Sequence, residues 1–296
     1  MSLLEAIIMG LVQGLAEFLP ISSSGHLAIF KHILNIDLES SGGMVFDVML
    51  HFGTLVAIFI AFWKDIKKLV VEGVCIIGDC FINLARYFQN AIFAKGSEKK
   101  EYKKIVDTAY RKFVMLVIVS TIPTGIIGIL LKDIVEKASA TLIVPGICLL
   151  ITAGLLIVAD RAKDGTKRPN QITYKEAGIV GIVQGIATLP GISRSGSTIA
   201  TSLKLGFDKN FAVKYSFIMS IPAVLGAALL EIKDFANIST EPTILVNYAI
   251  GTIVAAVVGY ICIKTMLVVV RGKKFKGFAY YCFVVGMIAI VWNFII

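Results

Sequence analysis

Two long apolar stretches, residues 2–36 and 174–206, are each interrupted at the centre by Pro, Gly and Ser, and the interruptions match one another. Set side by side, "AIIMGLVQGLAEFLPISSSGH" (6–26) and "GIVGIVQGIATLPGISRSG" (178–196) share Gly10/Gly181, Gln13/Gln184, Gly14/Gly185, Ile21/Ile192, Ser22/Ser193, Ser24/Ser195 and Gly25/Gly196. About half of the positions agree, and "TIPTGIIGILL" (121–131) and "SIPAVLGAALL" (220–230) echo each other more faintly. Such self-similarity marks an internal duplication. An apolar segment broken by Pro and Gly is a poor simple span, because irregular backbone in lipid is tolerated only where protein buries it or a wet cavity borders it.

Composition fixes the solvent: 57% of residues are hydrophobic and 17% charged. Full-length apolar spans are predicted at 44–63, 113–131, 141–160, 211–230, 243–270 and 277–296, each near the roughly 20 residues a helix needs to cross a bilayer. The first apolar stretch carries Glu5, lacks a basic leader and runs into the polar motif, so a cleavable signal peptide is not expected. Cys75, Cys80, Cys148, Cys262 and Cys282 are scattered and read as packing residues without a disulfide or zinc framework.

Charge orients the spans. Lys and Arg number eleven in 64–112, five in 161–175, three in 204–214 and four in 271–276, while the other turns carry only Lys31, Lys132, Lys137 and Lys233. By the positive-inside rule the basic set is cytoplasmic, and the net charge of +9 is a topology signal. "KGSEKKEYKK" (95–104) mixes Glu with Lys and interleaves no aromatic reader, so no nucleic-acid partner is expected. On this map the broken segments enter and return, one from each face. The expected fold is therefore an all-α integral membrane protein, one domain over 1–296. It is an inverted-topology repeat with about six transmembrane helices and two re-entrant helical hairpins. Repeat 1 covers about 1–131 with a cytoplasmic basic loop at 64–112, and repeat 2 about 141–296.

Each broken tip leads into a helix through serines: Ser22, Ser23 and Ser24 at the first, Ser193 and Ser195 at the second. Serine is a favoured N-cap, and two helix N-termini facing each other would clamp an anion. Arg194 lies at the second tip; an arginine within a membrane segment costs about 2.5–3.5 kcal/mol and is functional by default. Its planar fork suits a phosphate. The bland alternative is an Arg194–Glu17 ion pair that only stabilises the fold. Glu17 follows Gln13 by one helical turn, and a carboxylate aimed at a phosphate site suits a hard divalent cation, Mg2+ or Ca2+. Alternatively Glu17 fixes the tautomer of His26, a candidate general base. His32 reads as structural. His51 is ambiguous, with Asp47 one turn before it. Gly14 and Gly185 read as close helix packing.

"QGLAEFLPISSSGH" and "PGISRSGST" resemble the two signature motifs of the undecaprenyl-diphosphate phosphatases, bacterial membrane enzymes associated with bacitracin resistance, and the resemblance extends along essentially the whole chain. It implies hydrolysis of undecaprenyl diphosphate to undecaprenyl phosphate and inorganic phosphate, recycling the carrier lipid for cell-wall synthesis with a divalent cation. By motif position it implies roles for Glu17, Ser23, His26, Ser193, Arg194, Ser195 and Thr198. Many family members have a second glutamate where this chain has Gln13, which cannot ionise. The expected catalytic set is Glu17, Ser23, His26 and Arg194, with Glu17 the metal ligand; Gln13, Ser22, Ser24, Ser193, Ser195 and Thr198 are expected to bind substrate. Ser23 or a water is the expected nucleophile with His26 as its base, and the sequence leaves a phosphoserine intermediate, a phosphohistidine and direct water attack all open. Expected partners are the polyprenyl diphosphate and membrane lipid, with a second copy of the chain a candidate. Expected location is the bacterial plasma membrane, multi-pass, with the diphosphate site open to the extracytoplasmic face. A secondary transporter or flippase for an anionic substrate is the rival reading, because broken helices in inverted repeats also build transport sites.

Overall fold

The computed structural model describes residues 1–34, 36, 41–93, 99–230, 241–272 and 274–295. These form twelve α-helices: α1 (Leu3–Phe18), α2 (Ser23–Ile33), α3 (Ser41–Ala61), α4 (Trp63–Phe93), α5 (Ala109–Leu130), α6 (Lys132–Ser139), α7 (Ile143–Asp160), α8 (Tyr174–Ile186), α9 (Arg194–Lys204), α10 (Lys209–Leu230), α11 (Pro242–Arg271) and α12 (Lys276–Asn293). Among the described residues no strand forms; two isolated parallel bridges tie Gly165 to Asp208 and Lys167 to Phe207. The turn carrying Lys233 lies outside the described residues.

Helices α5, α7, α10, α11 and α12 are each long and apolar enough to span a bilayer, and α3 taken with the helix that follows it, as one bent pair, would bring the number to six. The protein is an all-α, multi-pass membrane protein. The members of each broken pair are shorter: α8 has 13 residues and α9 has 11, about 20 and 16 Å at 1.5 Å per residue, against roughly 30 Å of hydrocarbon. Capping residues set where they start. Ser2 and Thr173 each cap the entry helix of a pair in a capping box with Glu5 and Glu176.

The connection 64–112 differs from the open loop expected. Residues 63–93 form the single 31-residue helix α4, turned 88° from α3. The basic residues mask an apolar stripe in which Val70, Val74, Ile77, Phe81, Leu84 and Phe88 are exposed at helical spacing. On the other face Glu72 and Asp79 take Arg111 at 3.0 and 2.8 Å, and Lys103 reaches Asp79 at 2.9 Å.

Two packing relations position the site. Helix α1 lies along α11 as α8 lies along α5. At Gly14 a Cβ would stand 2.8 Å from Val258 Cβ, and at the equivalent Gly185 it would stand 2.7 Å from Ile127 Cβ. Both glycines allow an approach that any side chain would prop apart. Helix α7 packs along α12 and α3 along α11, while α10 lies against α9 and α5 in the core. Phe18 meets Phe217 edge to face there, with ring centroids 5.2 Å apart.

Candidate active site

The two tips meet in the interior. A Cβ on Gly25 would lie 2.8 Å from Gly191 Cα, and one on Gly196 would lie 3.1 Å from Pro20 Cβ. In the register of the duplication Gly25 corresponds to Gly196 and Pro20 to Gly191, so the contacts are reciprocal. The caps repeat as well: Ser22 Oγ accepts from Gly25 N at 3.3 Å and stands 3.4 Å from Ser24 Oγ. Ser193 Oγ accepts from Gly196 N at 3.1 Å and stands 3.4 Å from Ser195 Oγ. Ser195 Oγ also donates across to Leu19 O at 3.5 Å.

Where the repeats differ, the polar site appears. The register pairs Glu17 with Thr188 and Ser23 with Arg194. Glu17, 9% exposed, gathers three neighbours: Ser23 Oγ donates to Oε2 at 2.6 Å, Gln13 Nε2 donates to the same oxygen at 3.1 Å, and the Arg194 guanidinium pairs with Oε1. The ion pair that the sequence offered as an alternative is therefore formed. It leaves the Arg194 side chain 23% exposed beside a cavity of about 810 Å³. Glu17, Ser23, Ser24, Thr188, Ser193 and Arg194 border that cavity, and α3, α6 and α10 supply much of the remaining lining.

Other expected residues stand behind this wall. Thr198 Oγ1 donates to Arg194 O at 2.8 Å and bonds Ser216, tying the first turn of α9 to α10. His26 is turned away from Ser23. Its Nδ1 donates to Ser22 O at 2.7 Å, and its Nε2 accepts from Tyr281 Oη at 2.9 Å, with the two rings stacked. Both ring nitrogens are thus engaged, and Glu17 is not its partner. Ser22 has φ 71°, the single non-glycine residue with positive φ among the described residues, and the His26 ring holds the carbonyl of that strained tip. His51 is the residue the sequence left ambiguous. It borders the cavity, with Nδ1 2.9 Å from Gln13 Nε2 and 3.6 Å from Glu17 Oε2. The signal that could have found it is its place in α3, which brings residue 51 against the Gln13–Glu17 face of α1.

The model of the bacitracin resistance protein BacA family matches residues 6–288. The chain belongs to the BacA family. Curated relatives include the undecaprenyl-diphosphatase of Methanosphaera stadtmanae, 43% identical over 98% of both chains, and that of Halothermothrix orenii, 38% identical over 98% of both. The undecaprenyl-diphosphatase of Alkaliphilus metalliredigens is 37% identical over 99% of both. This BacA chain thus matches those relatives end to end, and both polar tips fall within the matched region.

Proposed function

We propose that this protein hydrolyses the terminal phosphate of undecaprenyl diphosphate, returning the carrier lipid as its monophosphate and conferring bacitracin resistance. Beside the family membership, one observation carries the reading: a single buried carboxylate holds both a hydroxyl nucleophile and a guanidinium at a cavity wall. Resting Arg194 sits on Glu17 Oε1. An incoming diphosphate offers the guanidinium two phosphoryl oxygens, a better match to its fork than one carboxylate oxygen. Arg194 shifts to the phosphate, and Glu17, relieved of its counter-charge, becomes a stronger base. Ser23 Oγ then attacks the terminal phosphorus while its proton passes to Glu17 Oε2. The bond to the lipid phosphate breaks, and that group leaves with the electron pair; its second pKa near 6 makes it a competent leaving group without protonation. Glu17 releases the proton to solvent, takes another from the attacking water and delivers it to the departing Ser23 oxygen. Arg194 and the two helix N-termini stabilise the transferring group.

A divalent cation fits this donor set. Gln13 Oε1 is buried without a partner beside Glu17, and both are oxygen donors suited to Mg2+ or Ca2+. The described residues bring together no group of three His, Cys, Asp or Glu, so phosphate and water would complete the coordination. Glu17 and Gln13 would hold the ion, which would neutralise charge on the phosphoryl oxygens.

The reciprocal tips support a two-repeat organisation. The packing of α1 on α11 and of α8 on α5 gives the entry helix of each pair a long helical partner, as a repeat 1 of about 1–131 and a repeat 2 of about 141–296 would require. The cavity borders Lys132 and Lys137 of α6, in a turn on the sparsely basic side, which supports a site opening to the extracytoplasmic face. Pure protein in detergent, given undecaprenyl diphosphate, should release inorganic phosphate. Uptake or transfer of the intact lipid without release would favour the transporter reading.

A further inference from the structure

His51 gives the site a feature that neither the motifs nor the ion pair accounts for. Gln13 Nε2 carries two hydrogens and contacts two acceptors, Glu17 Oε2 at 3.1 Å and His51 Nδ1 at 2.9 Å. An amide N–H can only donate, so Nδ1 must be the acceptor. The ring is then the neutral tautomer with its hydrogen on Nε2. Among the described residues Nε2 has no protein partner and is not among the enclosed unpaired atoms. The side chain is 33% exposed and borders the same cavity as Ser23 and Arg194. Thr54 Oγ1 donates to His51 O at 2.8 Å within the same turn of α3.

We propose that His51 binds substrate, its Nε2–H donating a hydrogen bond to a phosphoryl oxygen of the diphosphate in the cavity that Arg194 also borders. The proposal rests on the phosphatase reading and deepens it. Gln13, in place of a second carboxylate, is what makes it work: a glutamate at 13 would present an oxygen to Nδ1 and demand a hydrogen there. The amide instead commits that hydrogen to the far edge of the ring, where a phosphate needs a donor. His51 and Gln13 thus act as one unit, the amide setting the tautomer and the imidazole contacting the ligand.

Two conservative variants separate this role from a structural one, because asparagine places its polar atoms near the Nδ1 position and glutamine near the Nε2 position. With pure full-length protein and undecaprenyl diphosphate, His51→Gln should keep kcat/KM within about threefold of wild type. His51→Asn should lower it about 10- to 100-fold at an unchanged melting temperature, as loss of a donor to a charged acceptor does. If His51 serves only to hold Gln13, the order reverses, with Asn near wild type and Gln impaired, and the inference is overturned. His51→Gln decides by itself where Asn does not fold: a folded Gln variant that loses tenfold or more overturns the proposal. Wild-type protein that releases no phosphate would overturn both this inference and the phosphatase reading, whereas wild-type turnover with the reversed order overturns the inference alone.

Discussion

Replacing Glu17 by Gln separates binding from chemistry. The substitution keeps the side chain's shape and removes the charge that pairs with Arg194 and accepts from Ser23 at 2.6 Å. Breaking a buried ion pair costs about 3–5 kcal/mol, and the 23% exposure of Arg194 sets the expectation near the lower end, about 3 kcal/mol. At roughly 2–4 °C per kcal/mol, the melting temperature in detergent should fall about 6–12 °C. An anion that replaces the carboxylate should restore it. Inorganic phosphate at 100 times its dissociation constant returns about 2.7 kcal/mol, so the variant should recover most of its loss while wild type, with Arg194 already paired, gains less. Turnover should fall by about 10²–10⁴, the span expected for a missing general base. Melting curves with a phosphate titration, run beside phosphate release from undecaprenyl diphosphate, read both quantities. Turnover within threefold of wild type would refute the reasoning, as would phosphate affinity that falls in step with turnover.

Two further substitutions test the neighbouring roles. Arg194→Lys should insert and fold, yet keep at most about 5% of wild-type turnover because it loses the planar two-point contact, and Arg194→Ala should keep less; normal hydrolysis by folded Arg194→Ala, measured as phosphate release, would remove the residue from the catalytic set. His26→Asn retains a donor for Ser22 O and should hold within about tenfold of wild-type kcat, while His26→Ala releases the strained tip and falls further; equal, near-complete loss in both would reinstate His26 as the base.

The fold was legible because a bilayer leaves few choices. The span predicted at 141–160 is α7 at Ile143–Asp160, and that at 113–131 is α5 at Ala109–Leu130, displaced by the Thr108 cap that starts the helix earlier. The breaks at Pro20 and Gly191 were equally plain, since Pro and Gly within an apolar run have few other uses. Helix α4 was hidden because its basic residues drew the eye to charge while its apolar stripe recurs every three or four positions. At the site, the motif gathered Glu17, Ser23 and Arg194, but spacing could not say that Arg194 rests on Glu17, a contact across two repeats. His26 and His51 show the limit most clearly. The first lies in the motif, yet its ring turns toward Tyr281, a residue on the last helix; the second lies outside it and meets Gln13 only because α3 packs on α1. A side chain's direction depends on such distant partners.

The central claim is that Ser23, activated by Glu17, takes the terminal phosphoryl group. Rapid quenching of the pure enzyme with undecaprenyl diphosphate labelled in its terminal phosphate tests this directly. The account predicts that label appears first on Ser23 and then as inorganic phosphate, and that Ser23→Ala loses at least about a hundredfold in turnover. A folded Ser23→Ala protein that releases phosphate at the wild-type rate would contradict it.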